Sequence, residues 1–133
     1  DERAASMRFI ARCYKYLKRY EEAKMWLNKA IKEAPYLRDA YVEMAFLEYE
    51  LNNFSAVKKY CLLALDIKTH EKTYINEPFS FDYTIYDLLS ISTFYLGEID
   101  ESLKWVDIAI KMEPNNKRLL NNKKLILRSK KEF

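Results

Sequence analysis

Residues 7–35 read MRFIARCYKYLKRYEEAKMWLNKAIKEAP, and this stretch decides the fold. Its apolar residues recur at helical spacing in two stripes, which is the pattern of two amphipathic helices. The first stripe runs from Met7 to Leu17 and the second from Tyr20 to Ile31. A polar turn at Lys18 and Arg19 separates the stripes, and a proline ends the second one. The stretch therefore predicts a pair of helices.

The same pattern returns twice along the chain, first after 34 residues and then after a further 45. Small residues mark the register: Ala11, Ala45 and Ser90 in the first helices, and Ala30, Ala64 and Ala109 in the second. They allow helix axes to approach to roughly 8–10 Å. The second step is 11 residues longer than the first, which matches the length of KTYINEPFSFD, residues 72–82. We therefore interpret residues 72–82 as an insertion between the second and third repeats.

The pattern resembles the tetratricopeptide repeat. In the first repeat the signature places of that family are held by Met7, Ile10, Ala11, Tyr14, Ala23, Leu27, Ala30 and Pro35. The second repeat departs from the signature at Glu48, Val57 and Thr69, and the third departs at Thr93 and Ser102. The resemblance implies an all-α, right-handed α–α superhelix of three helix pairs.

The repeats are predicted at about 4–37, 38–71 and 83–116, within one domain that spans 1–133. After them, residues 117–131 keep the phase with one apolar side and one basic and amidic side, and they predict a helix that caps the end of the array. The chain begins with Asp1, inside a predicted first helix, so we expect it to be a fragment of a longer protein.

A second resemblance covers nearly the whole chain, and TYINEPF at residues 73–79 is its most specific part. The sequence looks like the repeat region that follows the catalytic domain of certain bacterial family 2 glycosyltransferases. In those enzymes a separate domain with an Asp-x-Asp motif binds the nucleotide sugar, and no Asp-x-Asp occurs here. The resemblance implies a glycosyltransferase as the parent protein and no activity in this chain.

The composition argues against several other kinds of site. The only glycine, Gly97, cannot form a glycine-rich phosphate loop, and the only histidine, His70, has no residue that would orient it for catalysis. The spacing of Cys13 and Cys61 matches no zinc motif, and we expect both to be buried, reduced thiols of a cytoplasmic protein. No apolar run approaches the roughly 20 residues that span a membrane.

Charge is unevenly distributed along the chain. The net charge is +3, yet residues 115–133 carry seven basic residues and one acid, so the rest of the chain is mildly acidic. The basic residues of this tail are not interleaved with aromatic ones, so we expect a solvated helix face and no nucleic-acid partner.

In a stacked array the first helix of each pair lines the concave surface, and helical spacing selects the side chains that face it. We expect a basic strip from the first repeat, an acidic strip from the second and an apolar strip from the third. In that order, the candidate groove residues are Arg8, Arg12 and Lys15; Asp39, Glu43, Phe46 and Glu50; and Asp87, Leu88, Ile91, Phe94 and Tyr95.

Two alternatives stay open for these strips. The basic and acidic strips either pair across neighbouring helices or hold a ligand. The apolar strip would be adhesive if it were exposed, so it needs a cover. The insertion supplies four candidates for that cover, which are Tyr74, Ile75, Phe79 and Phe81. The insertion either fills a wedge between the second and third repeats, with both phenylalanines largely buried, or forms one lip of a ligand groove.

The sequence thus predicts a recognition or scaffold module with no catalytic residue, cofactor or metal. Its partner is a protein or peptide, or the glycosyltransferase catalytic domain of the same parent chain, which acts on a glycan or protein acceptor. The alternative is a free-standing adaptor or regulator. Some eukaryotic repeat domains bind a chaperone's carboxylate end through lysines and asparagines; that function is not expected, because the corresponding places here carry Arg8, Arg12, Glu43, Thr84 and Leu88.

Overall fold

A computed structural model describes residues 2–68 and 77–132 of the chain. These ranges contain seven α-helices and no strand: α1 (Glu2–Tyr16), α2 (Tyr20–Glu33), α3 (Asp39–Glu50), α4 (Phe54–Asp66), α5 (Thr84–Tyr95), α6 (Ile99–Met112) and α7 (Lys117–Glu132). A short 3-10 helix, Pro78–Ser80, precedes α5. The predicted fold class, an all-helical solenoid of three helix pairs and a last helix, is confirmed.

The helices form two layers. Each helix packs against the next one along the chain, and in addition α1 contacts α3 and α3 contacts α5. The first helices of the pairs therefore lie side by side in one layer, with α2, α4 and α6 behind them. The short 3-10 helix contacts both α3 and α5, so the described end of the insertion sits between the second and third repeats.

The turn between the two helices of each pair has the same geometry three times. Lys18, Asn52 and Gly97 occupy equivalent places, and each has a positive φ, of 61°, 58° and 80°. The amide of the next residue then donates to a carbonyl five residues back, as in Arg19 N to Tyr14 O at 2.8 Å. This left-handed C-terminal cap ends the first helix and reverses the chain.

Alanines fill the places where helices cross. Ala23, Ala30, Ala45, Ala64 and Ala109 have no exposed surface. In the third repeat two buried serines replace alanine, and each donates a hydrogen bond to the other's carbonyl oxygen between α5 and α6. Ser102 Oγ donates to Ser90 O at 2.7 Å, and Ser90 Oγ donates to Ser102 O at 3.1 Å.

The departure at Glu48 also has a structural explanation. This buried carboxylate lies 2.9 Å from Lys24 Nζ of the preceding repeat and accepts a hydrogen bond from Asn53 Nδ2 at 2.9 Å. The hydrogen bond to Glu48 raises the pKa of Lys24 above its usual value. An ion pair between repeats therefore stands at the place where the family signature has tyrosine.

We predict opposite effects of substitution at two equivalent turn residues. Gly97→Ala should destabilise the fold by about 1 kcal/mol through backbone strain alone, since a Cβ there would meet no atom within 4 Å. Lys18→Gly should stabilise it by roughly 0.5–1 kcal/mol, because a non-glycine residue already bears that strain. Urea unfolding of both variants measures this, and a change of the same sign in both would contradict the turn assignment.

The two cysteines should differ in reactivity. The expectation that both thiols are buried is wrong for Cys13, which is exposed on the surface of α1. Cys61 is buried in the core, and burial raises its pKa to about 12. At pH 8 only about one Cys61 in 10⁴ carries the reactive thiolate. A maleimide should therefore label one thiol in the folded protein and two in denaturant, and Cys13→Ser should abolish the native labelling. Labelling of Cys61 in the folded Cys13→Ser protein would show that the second repeat is not packed as described.

Candidate functional site

The predicted groove residues do not form one continuous strip. Arg12, Lys15, Glu43 and Phe46 line a cavity of about 210 Å³ between α1 and α3, together with Phe79 of the insertion. Ile91, Phe94 and Tyr95 line a separate cavity of about 440 Å³ towards the end of the array. The two cavities differ in charge and in the elements that close them.

At the α1 end, the basic and acidic strips pair with each other. Arg8 Nη1 lies 3.5 Å from Glu43 Oε2 and 3.4 Å from Glu77 Oε1. Arg12 pairs with Glu43 through Nε and with Glu77 through Nη2 at 2.8 Å. Lys15 Nζ lies 3.5 Å from Glu50. The first of the two alternatives, pairing across neighbouring helices, is therefore the arrangement in this structure.

The expected exposure of Arg8 on the groove surface is wrong. Its side chain is buried at 7% exposure, since both α3 and the insertion cover it. Asp39 and Glu43 are buried as well. Helical spacing identified the face of α1 correctly, but the spacing carries no information about a neighbour that folds over that face.

The two carboxylates of this network titrate in opposite directions. Burial raises the pKa of Glu43, an effect that its two arginine partners only partly offset. The hydrogen bond from Arg12 lowers the pKa of Glu77. The contribution of Glu77 to the free energy of unfolding is therefore lost as pH falls through its lowered pKa. The contribution of Glu43 is present at low pH and is lost as pH rises through its raised pKa.

Backbone and aromatic contacts fix the insertion next to this network. The amide of Glu77 donates to the fully buried carboxylate of Asp39 at 2.6 Å. The Phe79 ring packs edge-to-face on Phe46 with centroids 5.1 Å apart. Glu77 of the insertion is thus bonded to α1 and α3, and the short 3-10 helix that follows it packs between α3 and α5.

Arg38, just before α3, holds the other side of the insertion. Its Nε donates to Ile67 O at 2.7 Å and its Nη1 donates to Ser80 O at 3.0 Å. The guanidinium lies over the Phe81 ring, 4.3 Å from the centroid. Desolvation lowers the pKa of Arg38. One side chain therefore links the end of α4 to the residues that lead into α5.

The expectation that Phe79 and Phe81 are largely buried needs correction, because both rings are only half-buried. Phe79 lines the smaller cavity while it packs on the core, so it combines the structural and the groove roles that the sequence left as alternatives. Tyr74 and Ile75, the other two apolar candidates, lie outside the described residues.

The third strip also differs from the prediction. Leu88 was expected to be exposed, but it is 6% exposed and belongs to the core cluster between α4 and α5. Asp87 is nearly buried and accepts two hydrogen bonds from Arg118, from Nη1 at 3.1 Å and from Nη2 at 2.7 Å. Only Ile91, Phe94 and Tyr95 of this strip face the larger cavity.

The last helix supplies the wall of the larger cavity that sequence reasoning missed. From α3 and α5 the cavity is lined by Tyr49, Ser90, Ile91, Phe94 and Tyr95. From α7 it is lined by Arg118, Asn122, Leu125, Ile126, Arg128 and Ser129. The repeat length indicates this wall in the sequence. Asn122, Leu125 and Ser129 lie 34 residues, which is one repeat, after Leu88, Ile91 and Tyr95. The last helix thus acts as the first helix of a further repeat as well as a cap.

The exposed ring at the mouth of this cavity is held in place by its neighbours. Tyr95 is 64% exposed, yet it stacks on Phe54 with centroids 4.4 Å apart and planes inclined by 12°. Phe94 meets Tyr95 edge-to-face, and Tyr49 meets Phe54 in the same way. A ring that is fixed before binding loses little conformational entropy when a ligand covers it.

The basic tail is matched in part by the acidic body. Besides the pair between Arg118 and Asp87, Lys123 lies 2.8 Å from Asp107 and Lys130 lies 2.9 Å from Asp100. The hydrogen bond to Asp87 raises the pKa of Arg118. The uneven charge seen in the sequence therefore contributes to the docking of α7 on α5 and α6.

The part of the chain that the structure describes holds neither a candidate metal site nor a candidate membrane span. No group of three or more His, Cys, Asp or Glu side chains there could hold a metal ion. No helix of the described ranges is long and apolar enough to cross a membrane. His70 lies outside these ranges.

Comparison with known proteins agrees with this geometry. Residues 9–36, which cover most of the first helix pair, match the family model of the tetratricopeptide repeat. The first TPR of Spaghetti (RPAP3), solved bound to the HSP90 peptide SRMEEVD, is 20% identical with a TM-score of 0.80, over 96% of this chain and 93% of that one. The chain has the tetratricopeptide-repeat fold.

A second structure gives the same result. The first TPR domain of human RPAP3, solved by NMR, is 20% identical with a TM-score of 0.78, over 98% of this chain and 94% of that one. No curated protein matches the sequence. Both structures therefore support the tetratricopeptide-repeat fold of this chain, and neither they nor the family model links it to glycosyltransferases.

We predict that the two phenylalanines of the insertion contribute unequally to stability. Phe79→Ala should destabilise the fold by about 2 kcal/mol, less than the roughly 3–5 kcal/mol of a fully buried ring, because Phe79 is half-buried on Phe46 and the core. Phe81→Ala should cost about 1 kcal/mol, since its half-buried ring lies against the Arg38 guanidinium and outside the core cluster on which Phe79 packs. Chemical unfolding measures both changes.

Phe9→Ala is the control for this pair, because Phe9 is 64% exposed on α1. That substitution should leave the free energy of unfolding within about 0.5 kcal/mol of the wild type. If Phe79→Ala were as neutral as Phe9→Ala, packing of the Phe79 ring on Phe46 and the core would contribute nothing to stability, and the ring would serve only as a lip of the groove.

Proposed function

We propose that this chain is a recognition module that binds a segment of another protein in the larger cavity, between α3, α5 and α7. The single observation that carries the proposal is the cavity of about 440 Å³ with pre-positioned aromatic residues and polar groups along its α7 wall. Ligand sites are typically concave and mostly apolar, with a few polar groups that fix orientation.

The similar RPAP3 domain supports a peptide as the class of ligand, since its structure holds a bound HSP90 peptide. At 20% identity the ligand itself does not transfer to this chain. The cations at the α1 end are already engaged: Arg8 and Arg12 are both bonded to Glu43 and Glu77. We therefore expect the ligand at the other end of the groove.

We further propose that the module is the accessory region of a bacterial family 2 glycosyltransferase that acts on a glycan or protein acceptor. The support is the resemblance of residues 73–79 and of their flanking repeats to that family's repeat region. The alternative is a free-standing TPR adaptor. The full-length sequence distinguishes them: an adjoining nucleotide-sugar domain with an Asp-x-Asp motif is expected, and its absence would leave the adaptor.

Selection from a displayed library of random peptides tests the binding proposal. We expect peptides that bind the wild-type chain and bind Tyr95→Ala at least about tenfold more weakly, since a large aromatic ring that a ligand covers contributes on the order of 1–2 kcal/mol or more. Binding by titration calorimetry gives the ratio of dissociation constants.

Tyr16→Ala is the matched control. Tyr16 is the equivalent of Tyr95 in the first repeat, is 89% exposed, and does not line the larger cavity. Its removal should change affinity less than about twofold. An equal loss in both variants would contradict the location of the site, and failure to select any peptide would contradict the function.

A further inference from the structure

We infer that the segment bound in the larger cavity is acidic and places one large apolar side chain between its acidic residues. This inference rests on the proposed function and specifies the ligand of the same groove. It follows from the charge of the α7 wall, from the contrast with the other cavity and from the shape of the apolar floor.

The larger cavity has uncompensated positive charge. Arg118 and Arg128 line it, and none of its described lining residues is acidic. Asp87 engages Nη1 and Nη2 of Arg118 from outside the lining. The ion pairs that α7 forms with described side chains use Arg118, Lys123 and Lys130, so Arg128 is the lining cation that remains for a ligand.

The smaller cavity differs in this respect. There the lining cations Arg12 and Lys15 are paired with Glu43 and Glu50. A carboxylate ligand at that end would have to displace a carboxylate of the chain itself. At the α7 end no described carboxylate pairs with Arg128, and Asn122 lines the same cavity as the two arginines. Charge complementarity therefore favours an acidic segment at the α7 end.

The floor between these polar groups is apolar. Ile91 and Phe94 line it from α5, and Leu125, which is about half exposed, lines it from α7. Tyr95 lies at the mouth. Such a floor accepts one aliphatic or aromatic side chain, which would gain from contact with rings already fixed by stacking. An acidic segment without a large apolar residue would leave this floor wet.

Four labelled five-residue peptides test the inference by fluorescence anisotropy with the complete chain. The first has phenylalanine between two pairs of glutamates. The second replaces the glutamates by glutamines, the third replaces them by lysines, and the fourth replaces the phenylalanine by alanine. We expect the first to bind at least about threefold more tightly than the second, since an exposed ion pair contributes up to roughly fivefold. High salt should shrink the difference.

Two variants identify the cation. Arg128→Gln should remove most of the preference for glutamate over glutamine. Lys124→Gln removes the same charge from an exposed place on α7 that does not line the cavity, and it should leave the preference intact. Both positions are exposed, so neither change should affect folding.

The outcomes distinguish a failure of this inference from a failure of the proposed function on which it rests. Equal or tighter binding of the glutamine or lysine peptide overturns the acidic ligand and leaves groove binding in place. The same holds if none of the four binds while library-selected peptides do. If the alanine peptide matches the phenylalanine peptide, the apolar residue is not recognised. If no peptide from either source binds, the proposed function itself fails.

Discussion

The close crossing of helices at small residues is the constraint on which the rest of the structure depends. Ala30, Ala64 and Ala109 have no exposed surface, and each lets a second helix approach the first helix of the next unit. Because these residues recur in register, the first helices stay in one layer and share one surface. The groove is a consequence of that layer, so a side chain in the groove can be located only after the register is known.

The insertion lengthens the chain without breaking this register. The short 3-10 helix Pro78–Ser80 packs between α3 and α5, while α4 still packs directly on α5. Arg38 bonds to carbonyls at the end of α4 and within the insertion, so the described residues of the insertion are held against the array. The array therefore keeps its stacking and gains a polar and aromatic element on its concave side.

Much of the fold follows from the sequence, because helix pairs are set by local spacing. The exposure of Arg8 and Leu88 was predicted wrongly, since spacing defines a helix face but not what covers it. Glu77 was missed because its partners Arg8 and Arg12 lie 69 and 65 residues away in the chain. Asn122, Leu125 and Ser129 could have been found by adding 34 once more, had α7 been treated as a first helix and not only as a cap.

The buried network explains why the two ends of the groove differ. A buried guanidinium such as Arg8 costs several kcal/mol unless it is paired, and within α3 a single carboxylate, that of Glu43, pairs with both Arg8 and Arg12. Glu77 supplies the second carboxylate, and it comes from the insertion. Packing of α1 on α3 therefore depends on the insertion, and the charges at that end are committed to folding. At the α7 end no described carboxylate pairs with Arg128, so its charge remains available to the ligand that we propose.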